Sequence, residues 1–326
     1  MKKYLSTIII ALIVIALSVL GFVLGGISLS DNQLYTLYIL LIICGISVTY
    51  CFIVGELAHN NSQMDKLWSI LPIVYVWVVA IRGGMSVRLI IYAIITTLWG
   101  IRLTFNFARK GAYRLKFWEG EEDYRWAILR KSGPLSNRYM WMLFNFFFIC
   151  LYQNALVLAM TLPALAVMDS LEAFGTFDYL ATFTALFFLI LETVADEQQW
   201  KFHQKKKQLL NQGKPLEEID PPYNLGFNTT GLWGYARHPN YLGEQGIWIC
   251  LYLFTISAGV NSYGVFNWSM FGPLFIVLLF AGSSMFGENI SNNKYPNYKY
   301  YLSYVSKYIP FRKFNLEKAK AKYREK

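Results

Sequence analysis

Charge is scarce in this chain: Asp, Glu, Lys and Arg make up 15% of its 326 residues, against about 25% in soluble domains. Histidine is scarcer, with His59, His203 and His238 the whole set. That is too few for a histidine-rich metal centre, and no metal site is expected. The four cysteines (Cys44, Cys51, Cys150, Cys250) fall inside apolar runs without CxxC spacing. They read as buried thiols, not as a disulfide framework or a zinc site. No GxGxxG, P-loop or GxSxG run occurs, which removes Rossmann, Walker and nucleophile-elbow sites. Internal repeats, low-complexity tracts and proline-rich linkers are also absent.

What the chain has is apolar and aromatic surface. Hydrophobic residues make up 55%, aromatics 17%, and the mean hydropathy is +0.34. This excludes disorder, a coiled coil and a disulfide-stapled secreted fold, and implies an all-α, polytopic membrane protein. A membrane helix needs about 20 mostly apolar residues. Eight stretches qualify, near 6–28, 33–57, 68–82, 86–107, 139–168, 177–199, 240–260 and 268–289. The third is short, and Arg82-Gly83-Gly84 predicts a tight hairpin into the fourth. The first follows Met1-Lys2-Lys3, is too long for a signal-peptide core and lacks a small-residue cleavage site, so it reads as a retained anchor.

The net charge of +10 does not indicate nucleic acid, because the basic residues are sorted by loop. With the N-terminus in the cytoplasm, the loops near 58–67, 108–138 and 200–239 and the C-terminal tail are internal. Together with the N-terminal Lys2 and Lys3, these segments then hold every Lys and Arg except Arg82, Arg88 and Arg102, as the positive-inside rule requires. The outer loops carry Asp31, Asp169 and Glu172 instead. Eight spans return the C-terminus to the cytoplasm. The chain then divides into N-terminal membrane helices (1–60), a main membrane domain (61–312) and a basic tail (313–326), expected to be solvated beside anionic head groups.

Ionisable residues in or beside membrane spans are costly and so mark candidate sites. Arg102, Asn106 and Arg109 fall at i, i+4 and i+7 on one helical face, either a snorkelling stripe or an anion site. Glu192 and Asp196 stand one turn apart near the end of the sixth stretch; like charges at that spacing destabilise a helix unless a donor relieves them. The densest polar run is Gly231-Leu232-Trp233-Gly234-Tyr235-Ala236-Arg237-His238-Pro239-Asn240-Tyr241-Leu242-Gly243-Glu244. Pro239 suits a first helical turn, His238 before it is pushed to extended geometry, and Asn240 and Glu244 share a face. Glu288 ends the eighth stretch, and Tyr295, Tyr298, Tyr301 and Tyr304 follow as an expected interfacial belt. Gln153-Asn154 sits within the fifth stretch, where helix-to-helix hydrogen bonding would satisfy it.

At Gly231–Glu244 the chain resembles the steroid 5-alpha-reductase C-terminal domain family, particularly its bacterial branch. Sterol C14-reductases share the Arg-His-Pro-Asn-Tyr-x-Gly-acid core. The resemblance extends to Asp65-x-x-Trp68-Ser69, Trp99-Gly100-x-Arg102-Leu103, Glu122-Asp123-Tyr124-Arg125-Trp126, Glu192-x-x-x-Asp196-x-x-Gln199, and Lys294-Tyr295-Pro296 through Tyr301 to Ile309-Pro310. It implies NADPH-dependent reduction of a carbon–carbon double bond in a lipophilic, steroid-like or isoprenoid substrate. The site would face the cytoplasm of a bacterial membrane, with membrane lipid and the substrate as partners and no nucleic acid. By position, Glu192, Asp196, Gln199, Arg237, His238, Asn240, Tyr241, Glu244, Glu288 and Tyr301 would line the cofactor, and Arg102, Asn106 and Arg109 its phosphates. Tyr241 and Asp65 are the candidate catalytic proton donors, chosen for chemistry and location. The family's Gln-Glu-Leu-Pro element is replaced by Ser69-Ile70-Leu71-Pro72 and its ketone-polarising Tyr by Trp99, so a 3-oxo-steroid is not implied. A second resemblance is to isoprenylcysteine and phospholipid methyltransferases, which share an Arg-His-Pro-x-Tyr-x-Gly run, a late Glu and a Tyr-rich tail ending in Ile-Pro. That reading implies S-adenosylmethionine instead.

Overall fold

A computed structural model describes residues 2–260 and 265–324. Among the described residues there are helices and no strand. Along the chain they run α1 (Lys2–Gly25), α2 (Asp31–Leu57), α3 (Gln63–Leu67), α4 (Leu71–Arg82), α5 (Val87–Ala108), α6 (Tyr124–Arg130), α7 (Arg138–Phe144), a π-helix (Asn145–Tyr152) and α8 (Gln153–Ala166). Then follow α9 (Thr176–Leu210), α10 (Pro239–Ser257), α11 (Phe271–Lys294), α12 (Tyr298–Tyr304) and α13 (Leu316–Arg324). Six are long and apolar enough to cross a membrane among the described residues, counting α7 to α8 as one, so the chain reads as a multi-pass membrane protein. The other two apolar stretches are also helical. However, α4 has 12 residues, and α10 carries Asn240, Glu244 and Gln245 in its first turns.

Local sequence explains the helix ends. Ser30 caps α2 through a reciprocal box with Gln33, each bond 3.0 Å long. The α4–α5 hairpin turns where expected, with Gly84 at φ +69°, a conformation a side chain would strain. Helix α9, with 35 residues, is about 52 Å long at 1.5 Å per residue. That exceeds the roughly 30 Å of bilayer hydrocarbon, so its basic end, from Lys201 to Lys207, extends beyond the apolar part.

The chain folds as two compact units. The bundle unit takes Leu12–Phe183 and Trp248–Ile276; the motif unit takes Met1–Ala11, Thr184–Ile247 and Val277–Lys326. In the bundle unit α4 packs on α5 and α8, and α2 on α8. Trp99 meets Trp248 edge-to-face at 5.0 Å between centroids. Arg88, in the first turn of α5, is buried. Its Nε and Nη2 donate to the Asp178 carboxylate at 2.8 and 2.9 Å, and its remaining donors go to the Glu172 and Ala173 carbonyls at 3.1 Å and to Ser170 Oγ at 3.4 Å. Asn154 is buried in α8: its Nδ2 donates to the Cys150 carbonyl of the preceding π-helix turn at 2.7 Å, and its side chain also bonds Cys51 of α2, the helix-to-helix contact expected of it. All four cysteines are buried free thiols.

In the motif unit two expectations are corrected. Tyr298 and Tyr301 are not an interfacial belt: they are buried with Phe227 and Val305 in a small aromatic core. A phenol ring with a satisfied hydroxyl packs as well inside as at a membrane surface, and spacing alone does not separate the two. The tail is not wholly solvated either. Residues 316–324 form α13, which packs on α12 with Tyr323 against Tyr300 at 5.2 Å, and Ala319 is fully buried.

Candidate functional site

The Gly231–Glu244 run builds the site in three steps. Gly231–Gly234 form a single 3-10 turn, the chain extends through His238, and α10 starts at Pro239. The extended part is clasped by the segment after α12. Arg237 N–H donates to the Ser306 carbonyl at 3.0 Å and His238 N–H to the Lys307 carbonyl at 2.9 Å, while Phe314 N–H donates to the Gly234 carbonyl at 2.7 Å. Tyr301 Oη donates to the Trp233 and Ala236 carbonyls. Burial pushes its phenol well above the usual value, so it stays a donor.

Arg237, His238 and Glu288 form one cluster. Arg237 Nε donates to Glu288 Oε1 at 2.8 Å, and Nη1 to the Leu302 carbonyl at 3.1 Å and to the Val305 carbonyl. His238 Nε2 lies 2.9 Å from the same Glu288 oxygen. Burial holds the imidazole below its ordinary value, the Glu288 carboxylate opposes that shift, and Arg237 and Lys307 reinforce it. The neutral ring therefore donates from Nε2 to the carboxylate. His238 also stacks on Tyr241 at 5.0 Å, and Tyr241 packs on Phe280 at 4.5 Å. These contacts make Arg237, His238, Glu288 and Tyr301 the frame that fixes the start of α10.

The face they fix lies against α9 within the same unit. A Cβ on Gly243 would stand 2.6 Å from Glu192 Cβ and 2.9 Å from the Phe188 carbonyl oxygen, so only glycine allows this approach. It brings Asn240 Nδ2 within 3.1 Å of Asp196 Oδ1. That donor relieves the Glu192/Asp196 repulsion expected from the spacing. Glu192 and Glu244 are both buried, and Gln199, one further turn along α9, pairs through Nε2 with His203 Nε2 at 3.1 Å. Asn240 Oδ1 and Gln199 Oε1 are buried acceptors with no hydrogen-bond partner among the described residues. Such atoms are costly in a folded chain and point to a ligand or to ordered water.

The other proposed residues belong to the bundle unit. Asn106 is buried on α5, and Arg102 and Arg109 are half-buried beside it, with the Arg109 guanidinium 5.6 Å from the Phe105 ring. Asp65 accepts from Trp126 Nε1 at 2.8 Å, and burial pushes its carboxyl up. Sequence reasoning missed the cluster around it. Lys66, fully buried, donates to the Phe117 and Glu119 carbonyls at 2.7 Å. Glu122 accepts from Asn61 N–H at 2.8 Å and Arg130 Nη2 at 2.7 Å. A cleft of about 430 Å³ opens beside it, lined by His59, Asn60, Trp118, Glu119 and Glu122 among others. A usable signal was present, since Asp65 and Trp126 lie in two of the conspicuous polar-aromatic segments of the sequence.

Fold and site together define an all-helical membrane protein with a clasped loop feeding a polar helix face. The chain belongs to the family described as "Protein of unknown function (DUF1295)", which matches residues 51–308. It is 36% identical over 265 residues to the uncharacterized protein C594.04c of Schizosaccharomyces pombe, covering 77% of this chain and 73% of that protein. No solved structure matches the chain.

Proposed function

We propose that the protein is a membrane-embedded, NADPH-dependent reductase that reduces a carbon–carbon double bond of a lipophilic substrate. The observation that carries this reading is the α9/α10 face, where Asn240 donates to Asp196 and so presents Oδ1, buried and otherwise unmatched. An acceptor held that way is complementary to an N–H donor such as a nicotinamide carboxamide. The resemblance of Gly231–Glu244 and the upstream segments to steroid 5-alpha-reductases and sterol C14-reductases supports the same assignment. In this reading NADPH supplies the hydride. Asn240 and Glu244 brace the carboxamide, Asp196 orients Asn240, and the Arg237–His238–Glu288 frame keeps the first turn of α10 in place. Tyr241, on the same turn, is the proton donor proposed for the motif unit; Asp65, whose raised carboxyl holds a proton more readily, is the candidate in the bundle unit. The phosphate role of Arg102, Asn106 and Arg109 rests on their shared helix face alone.

The proposal includes the topology: eight spans, both termini cytoplasmic, and a bacterial cytoplasmic membrane, supported by the sorting of basic residues. A second reading, an S-adenosylmethionine-dependent methyltransferase, is favoured by one feature. The acidic face of Glu192, Asp196 and Glu244 suits a cationic ligand, and an ammonium group would satisfy Asn240 Oδ1 equally. The extended upstream resemblance weighs towards the reductase.

Asn240→Ala and Glu244→Gln test the assignment. Loss of one buried contact should weaken NADPH binding by about 1–3 kcal/mol, roughly five- to a hundredfold, with the apo melting temperature little changed. Unchanged affinity with a lowered melting temperature would make both residues structural.

A further inference from the structure

The segment after α12 does more than clasp the loop. Tyr308 Oη reaches Ser284 Oγ at 3.1 Å and the Phe280 carbonyl at 3.2 Å. Both lie on α11, whose apolar run ends at Phe286 before Gly287, Glu288 and Asn289. Ser284 is two residues and Phe280 six residues on the apolar side of that end, about 3 and 9 Å at the helical rise. Tyr308 is thus pinned inside the edge of a membrane-crossing helix. The next residues are oddly apolar for a surface turn: Ile309 is 61% and Phe311 85% exposed. They are flanked by Lys307, Arg312 and Lys313, and α13 adds Lys318, Lys320 and Lys322. Several of these cations are already organised: Lys307 lies 5.7 Å from the Tyr308 ring, Arg312 and Lys322 lie 5.0 and 6.0 Å from the Tyr304 ring, and Lys320 pairs with Glu317 at 3.1 Å.

We propose that residues 307–313 are an interfacial anchor for an anionic lipid surface, with Ile309 and Phe311 entering the upper acyl region and Lys307, Arg312 and Lys313 taking phosphate head groups. The depth set by Tyr308 supplies the apolar contact, and the charge of the flanks selects the head group. Because Val305, Ser306 and Lys307 carry the bonds to Arg237 and His238, lipid held here also steadies the start of α10. The anchor does not depend on which cofactor that helix binds.

The test uses the full-length protein in nanodiscs of phosphatidylcholine with or without phosphatidylglycerol. Phe311→Cys carries a bimane label, the native cysteines being buried. Quenching by lipid with a nitroxide near the top of the acyl chain, and protection from aqueous iodide, is expected. Iodide quenching would overturn the anchor, as would protection from both quenchers, which would mean that protein covers Phe311. Phosphatidylglycerol retained after detergent washing, measured by mass spectrometry, should fall about fivefold per cation removed in Lys307→Gln, Arg312→Gln and Lys313→Gln. Phe311 labelling that reports lipid, with retention unchanged in those variants, would overturn the anionic selectivity.

Discussion

Replacing Gly243 by Ala probes the helix approach on which the site depends. The new methyl would stand 2.6 Å from Glu192 Cβ, 3.0 Å from Glu192 Cα and 2.9 Å from the Phe188 carbonyl oxygen. Carbon atoms prefer about 3.5–4.0 Å, so α10 must retreat or roll by about 1 Å at this point. None of the three atoms is the free end of a flexible side chain. Overpacking of this kind costs about 1–3 kcal/mol. The same shift would stretch the Asn240–Asp196 bond from 3.1 Å past the about 3.2 Å at which N–H···O bonds weaken. Gly243→Ala should therefore lower the thermal midpoint in detergent by several degrees and weaken NADPH binding. Gly282→Ala on α11, where nothing lies within 4 Å of the added methyl, is the matched control and should be neutral or slightly stabilising, since Ala is the better helix former. If Gly243→Ala melts and binds as the parent does, the close approach does not position the site.

Other variants test the frame and the fold. Arg88→Met or Asp178→Leu strands a buried charge and should cost about 3–5 kcal/mol of stability; the double variant should recover much of it in thermal unfolding. Tyr301→Phe leaves the Trp233 and Ala236 carbonyls without their phenol donor and should cost about 1–3 kcal/mol. His238 gives a pH signature. Its folded value is held below the unfolded value of about 6.5, so the unfolded chain binds the proton more readily. Stability should be full above about 6.5 and decline as the pH falls through that value towards the folded one. Lys307, Arg237, Glu288, Tyr241 and Tyr308 face the ring. His238→Gln should flatten that decline in melting curves between pH 7 and 5; an unchanged slope would assign it to other groups.

Much of the architecture was legible because membrane helices are written in composition. All eight apolar stretches are helical, and the Arg82–Gly84 hairpin and the Pro239 helix start fall where the residues put them. The third and seventh stretches are less clear, since the length of α4 and the polar first turns of α10 leave them outside the six helices that qualify. What the sequence hid were partnerships between residues distant along the chain. Arg88 and Asp178 are 90 residues apart, and neither carries a local pattern announcing the pair. The resemblance put Arg237, His238 and Glu288 beside a cofactor, but nothing local announced that Arg237 and His238 share the Glu288 carboxylate, 51 and 50 residues downstream. The Glu192/Asp196 spacing did announce that a donor was needed, though not that Asn240 would supply it.

Ligand binding to the purified full-length protein, with NADPH, NADH and S-adenosylmethionine titrated separately and in competition, distinguishes the reductase from the methyltransferase. NADPH binding should be saturable, weakened by Asn240→Ala and not displaced by S-adenosylmethionine. Saturable binding of S-adenosylmethionine with no response to NADPH would contradict the reductase assignment.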